Sequence, residues 1–326
     1  MRFYYYLLLT IIFLLSYCHA IEYEIVDLNY GNNSEARSIN NNNQIVGSSS
    51  NDTFLWENGN LLDIGTASIG MTQYVCGSCF INNNGQIAAH ASSGADNNSK
   101  SVLLYDNGSW QKISSLNTCD EIHGINDQGT IIGRGRIDGE IIACTFSNGL
   151  KISLGLDRSS EAKAINNNEL IVGWADYGTL HKGFIYDDAT VTYFGPTYGN
   201  HTYPYGINDQ GQIVGTCDGQ VFLYENAIMN FPGISGSARD INNRGQIIGT
   251  TSTVGYVYDN GNLTLLPCLP GHANSSAYAI NDNGWIVGKS AVGDGHTWNA
   301  VLWKPIPEPA TLLLFGLGGL ALRRKQ

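Results

Sequence analysis

Seven copies of one short pattern, Ile-Asn followed by a turn rich in Asn, Asp and Gly, constrain this chain more than any other feature. The anchors are Ile39, Ile81, Ile125, Ile165, Ile207, Ile241 and Ile280, spaced 34 to 44 residues apart, and each is followed by Asn. Eight residues after each anchor stands a small residue: Gly47, Ala89, Gly133, Gly173, Gly215, Gly249 or Gly288. A constant distance across a turn locks two arms in register, which predicts a β-hairpin. Turn tips such as Asn126-Asp127-Gln128-Gly129 supply residues that tolerate the left-handed conformation. A second hairpin follows in each repeat, marked by an aromatic slot that holds Trp56, Tyr105, Phe146, Tyr186, Tyr224, Tyr258 and Trp303.

Four short strands (A to D) in about 40 residues is the period of a propeller blade. The sequence therefore predicts an all-β, seven-bladed β-propeller of four-stranded blades. A solenoid of stacked hairpins would need a capping repeat at each end, and neither end carries one. The seventh repeat meets Pro305 right after strand C, so it has no strand D of its own. The segment Tyr23 to Leu28 alternates like a strand and precedes the first anchor, so it is expected to close the ring as the missing strand and remove an open edge.

Both ends read as targeting segments. Met1 to Ala20, with Arg2, an apolar run and Cys18-His19-Ala20, has the form of a secretory signal peptide. At the other end, Pro307-Glu308-Pro309 precedes apolar Ala310 to Leu322 and then Arg323-Arg324-Lys325-Gln326. This resembles a PEP-CTERM sorting tail. The resemblance implies processing by an exosortase-type enzyme, a passing association of the tail with the membrane, and a secreted or cell-surface location in a bacterium. The expected division is 1–20 signal peptide, 21–306 propeller and 307–326 sorting tail. The Ile-Asn-x-x-Gly-x-Ile-Val-Gly hairpin and its apolar-apolar-aromatic partner resemble the HAF family of probable extracellular repeats over roughly Ala36 to Trp303. That family implies export and a repeat fold, and no chemistry.

The chain has 17 Lys and Arg against 28 Asp and Glu, a formal net charge of -11, which excludes a general nucleic-acid binder. No Gly-x-Ser-x-Gly elbow, phosphate loop or HExxH appears, so hydrolase, nucleotide-binding and zinc-protease motifs are all missing. The Asn-Asp-x-Gly turns lack the alternating carboxylates and closing Glu of a calcium loop. The B-C and D-A connections vary in length while the A-B turns do not, so that variable face is the candidate functional one.

Two residues before each anchor stand Arg37, Cys79, His123, Lys163, Tyr205, Arg239 and Tyr278. Around a channel mouth, three permanent cations with His123 and two tyrosines would attract anions, with Arg gripping carboxylate or sulfate and Tyr packing on sugar faces. Alternatively, the stems lie between blades and the heads pair with Asp or Glu. Loop residues add a second cluster, with Trp174, Tyr198 and Trp298 as the candidate ligand-binding aromatics beside Tyr177, His181, His201, Tyr203 and His296. These histidines have no metal-site spacing, so neither a metal nor another cofactor is expected.

Cys76, Cys79, Cys119, Cys144, Cys217 and Cys268 remain after signal removal, and an even count in an exported chain favours disulfides. Cys144 occupies the slot held by Phe54 and Phe184 elsewhere, which also suits a buried thiol. The expectation is a non-enzymatic exported propeller that binds an extracellular polymer, either an acidic polysaccharide or a surface protein. The alternatives are a lyase-like enzyme on the same scaffold, with Tyr205 or Tyr278 moving the proton and Arg37, Arg239 or His123 neutralising a uronate, and a purely structural matrix protein.

Overall fold

The computed structural model describes residues 21–49, 52–69, 72–93, 99–116, 120–147, 150–196, 201–293 and 296–307. The proposed signal peptide, the sorting tail from residue 308 onward, Tyr198 and Cys119 lie outside them. The described chain forms seven antiparallel sheets, the blades of a seven-bladed β-propeller, with no helix among the described residues.

Blade 1 runs Ser34–Ile39, Ile45–Ser49, Asp52–Glu57 and Asn60–Asp63 as strands A to D. The ring closes as expected: Tyr23–Asp27 pairs antiparallel with Trp298–Pro305 in blade 7, with Tyr23 opposite Pro305 and Asp27 opposite Val301. Blade 2 departs from the expected four strands. An extra strand, Thr66–Ile69, pairs with the start of an unusually long strand A, Thr72–Ile81, giving five.

Apolar side chains from adjacent blades interleave to form the core. Phe54, Trp56 and Ile45 of blade 1, for example, pack with Val287, Ala300 and Leu302 of blade 7. Cys144 is buried in the Phe54 slot of blade 3, where it pairs with Gly133, and burial pushes its thiol up to about 12. Cys144 is the buried thiol that its slot suits, and Cys268 is a thiol as well, against the pairing that an even count favours. Cys144 is fixed inside blade 3 and Cys268 follows the outer strand of blade 6, so the rigid blades hold them in separate places.

The invariant Asn after each anchor closes the centre of the ring on the A-B turn face. Its Oδ1 accepts main-chain N–H groups of its own turn, as Asn166 does from Asn168 and Leu170. Its Nδ2 donates to the main-chain carbonyl of the same Asn in the next blade. The chain of donors runs Asn40, Asn82, Asn126, Asn166, Asn208, Asn242, Asn281 and back to Asn40, at 2.9–3.3 Å. Only a carboxamide accepts at one atom and donates at the other in this way, which accounts for Asn in all seven copies. A second ring lies one residue on: each main-chain N–H from Asn41 to Asp282 donates to the side-chain Oδ1 of the next blade, and Asp282 returns to Asn41.

Candidate functional site at the channel mouth

The opposite end of the channel is built by β-bulges. In six blades strand A skips one residue in its pairing with strand B, and the skipped residues are Arg37, His123, Lys163, Tyr205, Arg239 and Tyr278. A bulge re-aims its extra side chain out of the ladder, and these six line one cavity of about 180 Å³ together with Phe80 and Asp240. The bulge also explains the small residue on strand B. A Cβ at Gly47, Gly133, Gly173, Gly215, Gly249 or Gly288 would lie 1.9–2.1 Å from a carbonyl oxygen of strand A. Blade 2 carries Ala89 instead because its bulge is moved to between Cys76 and Cys79. Cys79 is consequently paired with Ala89 and buried, and it takes no place at the mouth, where Phe80 stands in its stead.

Most of the mouth's cations are matched by carboxylates two residues upstream on strand A, which sequence reasoning did not single out. Arg37 bonds Glu35, which also holds Lys289 of blade 7 at 2.7 Å. Glu161 of blade 4 holds Lys163 at 2.6 Å and pairs with His123 Nε2 and, at 3.7 Å, with Arg134 Nη1 from blade 3, while Arg134 Nη2 reaches Glu121 at 2.9 Å. Despite burial, hydrogen bonding and charge from His123 and Lys163 hold the Glu161 carboxyl at about 2. His123, Glu121 and Glu161 converge closely enough to suggest a metal trio, but Arg134 and Lys163 already neutralise both carboxylates.

Arg239 differs from the others. It is exposed, makes no ion pair among the described residues, and sits with its guanidinium 5.3 Å from the centre of the Tyr205 ring. Arg37 lies over Tyr278 in the same way at 5.2 Å. Burial raises the pKa of both phenols above the usual tyrosine value. Next to Arg239, Asp240 accepts the main-chain N–H groups of Ile241 and Ile280, and desolvation pushes it up to about 7. Arg37, Arg134, Lys163, Arg239 and Lys289 thus face four acids, Glu35, Glu121, Glu161 and Asp240, leaving positive charge at the mouth of an acidic chain.

The loop aromatics divide. Trp174 packs edge-on against His181 and Tyr203, with ring centres 4.6 and 5.9 Å apart, so the blade 4 and blade 5 residues do gather. Trp298 lies elsewhere on the rim, under the Lys289 ammonium at 4.7 Å. Desolvation and the neighbouring His201 lower the His181 pKa below the ordinary histidine value.

The propeller resembles several solved structures in fold. Virginiamycin B lyase from Staphylococcus aureus superposes with a TM-score of 0.58 at 10% identity, covering 86% of this chain and 99% of that one. The β-propeller domain of the Trilobed protease from Pyrococcus furiosus gives 0.58 at 11%, covering 89% and 97%. YCF48 bound to a D1 peptide gives 0.56 at 12%, covering 89% and 99%. At such identities the likeness concerns the fold alone. No curated protein matches the sequence. Residues 305–325 match the PEP-CTERM protein-sorting motif, which indicates a bacterial protein exported and sorted to the cell envelope or surface.

Proposed function

We propose that this chain is an HAF-type repeat protein, sorted by exosortase, whose channel mouth binds the carboxylates or sulfates of an acidic extracellular polysaccharide without chemical turnover. The observation that carries this reading is Arg239, an exposed guanidinium with no carboxylate partner among the described residues, backed by the Tyr205 ring at the rim of a cavity. Stacking fixes the guanidinium plane and leaves its edge free to grip an anion in bidentate fashion. The raised Tyr205 and Tyr278 pKa values support binding over a lyase, because phenols that hold their protons are poor bases near neutral pH.

The test compares the purified parent with Arg239→Gln for binding to alginate and to polygalacturonate across a salt series. The variant is expected to lose about tenfold in affinity, matching one charge-assisted contact of roughly 1.5 kcal/mol or more, and to show a shallower salt dependence. Equal affinity in parent and variant, or absorbance from an unsaturated sugar product, would overturn the reading.

A further inference from the structure

On the same face of the ring, between blades 4 and 5, two histidines meet that are 20 residues apart in sequence. His181 lies on Leu180–Asp187, the second arm of the blade 4 B-C hairpin, and His201 precedes Thr202–Ile207, the inner strand of blade 5. Their Nδ1 atoms are 3.0 Å apart. His201 Nδ1 accepts the main-chain N–H of His181 at 3.2 Å, so it carries a lone pair. His181 Nδ1 also lies 2.6 Å from Tyr203 Oη. Two imidazole nitrogens and a phenol oxygen therefore converge on one point. Packing holds the rings in place: His201 lies parallel to Tyr203 with centres 6.0 Å apart, and Trp174 abuts His181. The Asp218 carboxylate accepts the His201 main-chain N–H at 3.1 Å, and Asp176 pairs across the hairpin with His181, so negative charge flanks the pair.

We propose that His181 and His201 form a site for a divalent transition-metal ion, Cu(II) above others, with both Nδ1 atoms as adjacent ligands and Tyr203 Oη as a neighbouring donor. A metal bound to imidazole nitrogen at about 2.0–2.1 Å and bridging the 3.0 Å gap subtends an N–metal–N angle of about 94°. That angle is close to the right angle of tetragonal Cu(II) or Ni(II), whereas a tetrahedral ion would need the nitrogens about 3.3 Å apart. Between the two tetragonal ions, the stability order of first-row metals on nitrogen ligands favours copper. As a ligand each Nδ1 offers its single in-plane lone pair, so each ring carries its proton on Nε2 and His201 Nδ1 gives up the main-chain N–H of His181 to bind. Hard cations such as Ca²⁺ and Mg²⁺, which prefer oxygen cages, find no such cage here. The pair escapes a search by spacing because its ligands come from different blades.

Titration of the purified, exported protein with Cu²⁺ should show one ion per chain, with quenching of tryptophan fluorescence through Trp174. Electron paramagnetic resonance of that species should show nitrogen hyperfine structure from two imidazoles, a readout that needs no variant. His181→Ala and His201→Ala should each weaken binding at least about 100-fold, at the upper end of what even supporting residues of metal sites contribute. His272→Ala, in the linker after blade 6, should leave affinity unchanged. Gln replacements serve where an Ala variant melts early. A single coordinating nitrogen, Zn²⁺ binding as tight as Cu²⁺, or undiminished Cu²⁺ affinity in folded His181 and His201 variants would each overturn the proposal.

Discussion

Replacing Gly173 with alanine tests whether the bulge is what requires a glycine on strand B. The new Cβ would lie 2.0 Å from the carbonyl oxygen of Glu161 and 2.8 Å from the Phe184 ring, where Cβ contacts are not found below about 3.0 Å. The carbonyl must therefore retreat by about 1 Å, and it cannot do so freely. It belongs to the inner strand of blade 4, which is paired with strand B on one side of the bulge and on the other. Overpacking of this kind costs about 1–3 kcal/mol, and the upper end applies because backbone, not a flexible side chain, has to move. At about 2–4 °C per kcal/mol for a large domain, Gly173→Ala should lower the melting temperature by about 6–12 °C. The reciprocal change, Ala89→Gly in blade 2, relieves no clash and should cost the backbone entropy of glycine, about 0.5–1 kcal/mol, plus about 0.8 kcal/mol for the buried methyl it removes. Thermal melts of the two variants beside the parent decide it. If Gly173→Ala melts within about 1 °C of the parent, or Ala89→Gly falls as far as Gly173→Ala, the link between bulge and glycine is wrong.

Deleting residues 21–30 removes the strand that pairs with Trp298–Pro305 and takes away buried Tyr23 and Leu28, so the melting temperature should drop by about 10 °C or more and gel filtration should show association through the exposed edge. A monomer that melts like the parent would refute closure of the ring. Asn166→Asp turns the donor facing the Asn208 carbonyl into an acceptor at 2.9 Å and should cost about 1–3 kcal/mol in urea unfolding. Asn168→Asp, on the exposed part of the same turn, should cost less, and equal losses would show that the inner ring has no special role. Asp240→Ser mimics Ser38 of blade 1, whose hydroxyl accepts the Ile81 N–H of blade 2 much as Asp240 accepts that of Ile280 from blade 7. Burial raises the Asp240 pKa from 3.8 to about 7, so its contribution to stability is fully present below about pH 4 and lost as pH rises through 7. The variant should gain on the parent in melting temperature from pH 5 to pH 8, and a constant difference over that range would contradict the assignment.

The periodic part of the fold was legible because propeller geometry demands it repeatedly. A register that closes each hairpin, a carboxamide that links each blade to the next, and a residue without Cβ beside each bulge are required in nearly every copy, so they show as a pattern. Even the closing strand could be read, since a repeat that lacks its fourth strand at one end and a spare strand at the other leave one solution. The extra strand of blade 2 broke the rule without an Asn-Gly turn to announce it. Its trace was the longest interval between an aromatic slot and the next anchor, 25 residues from Trp56 to Ile81.

The mouth was harder to read for a different reason. The slot two residues before each anchor varies freely because a bulged side chain leaves the ladder and answers to whatever faces it, so its position can be inferred while its partners cannot. Glu161 receives Lys163 from its own strand but His123 and Arg134 from blade 3, and Glu35 receives Lys289 from blade 7 at the far end of the chain. These partners recur at two fixed offsets, two residues upstream of the bulge and one residue after the small residue of strand B, where Trp174 also stands against Tyr203 of the next blade. The seam between blades therefore joins one offset on each strand B to the other offset on the following strand A. Those two offsets, taken together around the ring, also locate the mouth guanidinium that has no ion pair among the described residues: blades 5 and 6 present Thr216 and Ser237 across that seam, and neither supplies a carboxylate to Arg239. The absence of an acid at this seam, more than the presence of a base, is what leaves Arg239 available to an external anion.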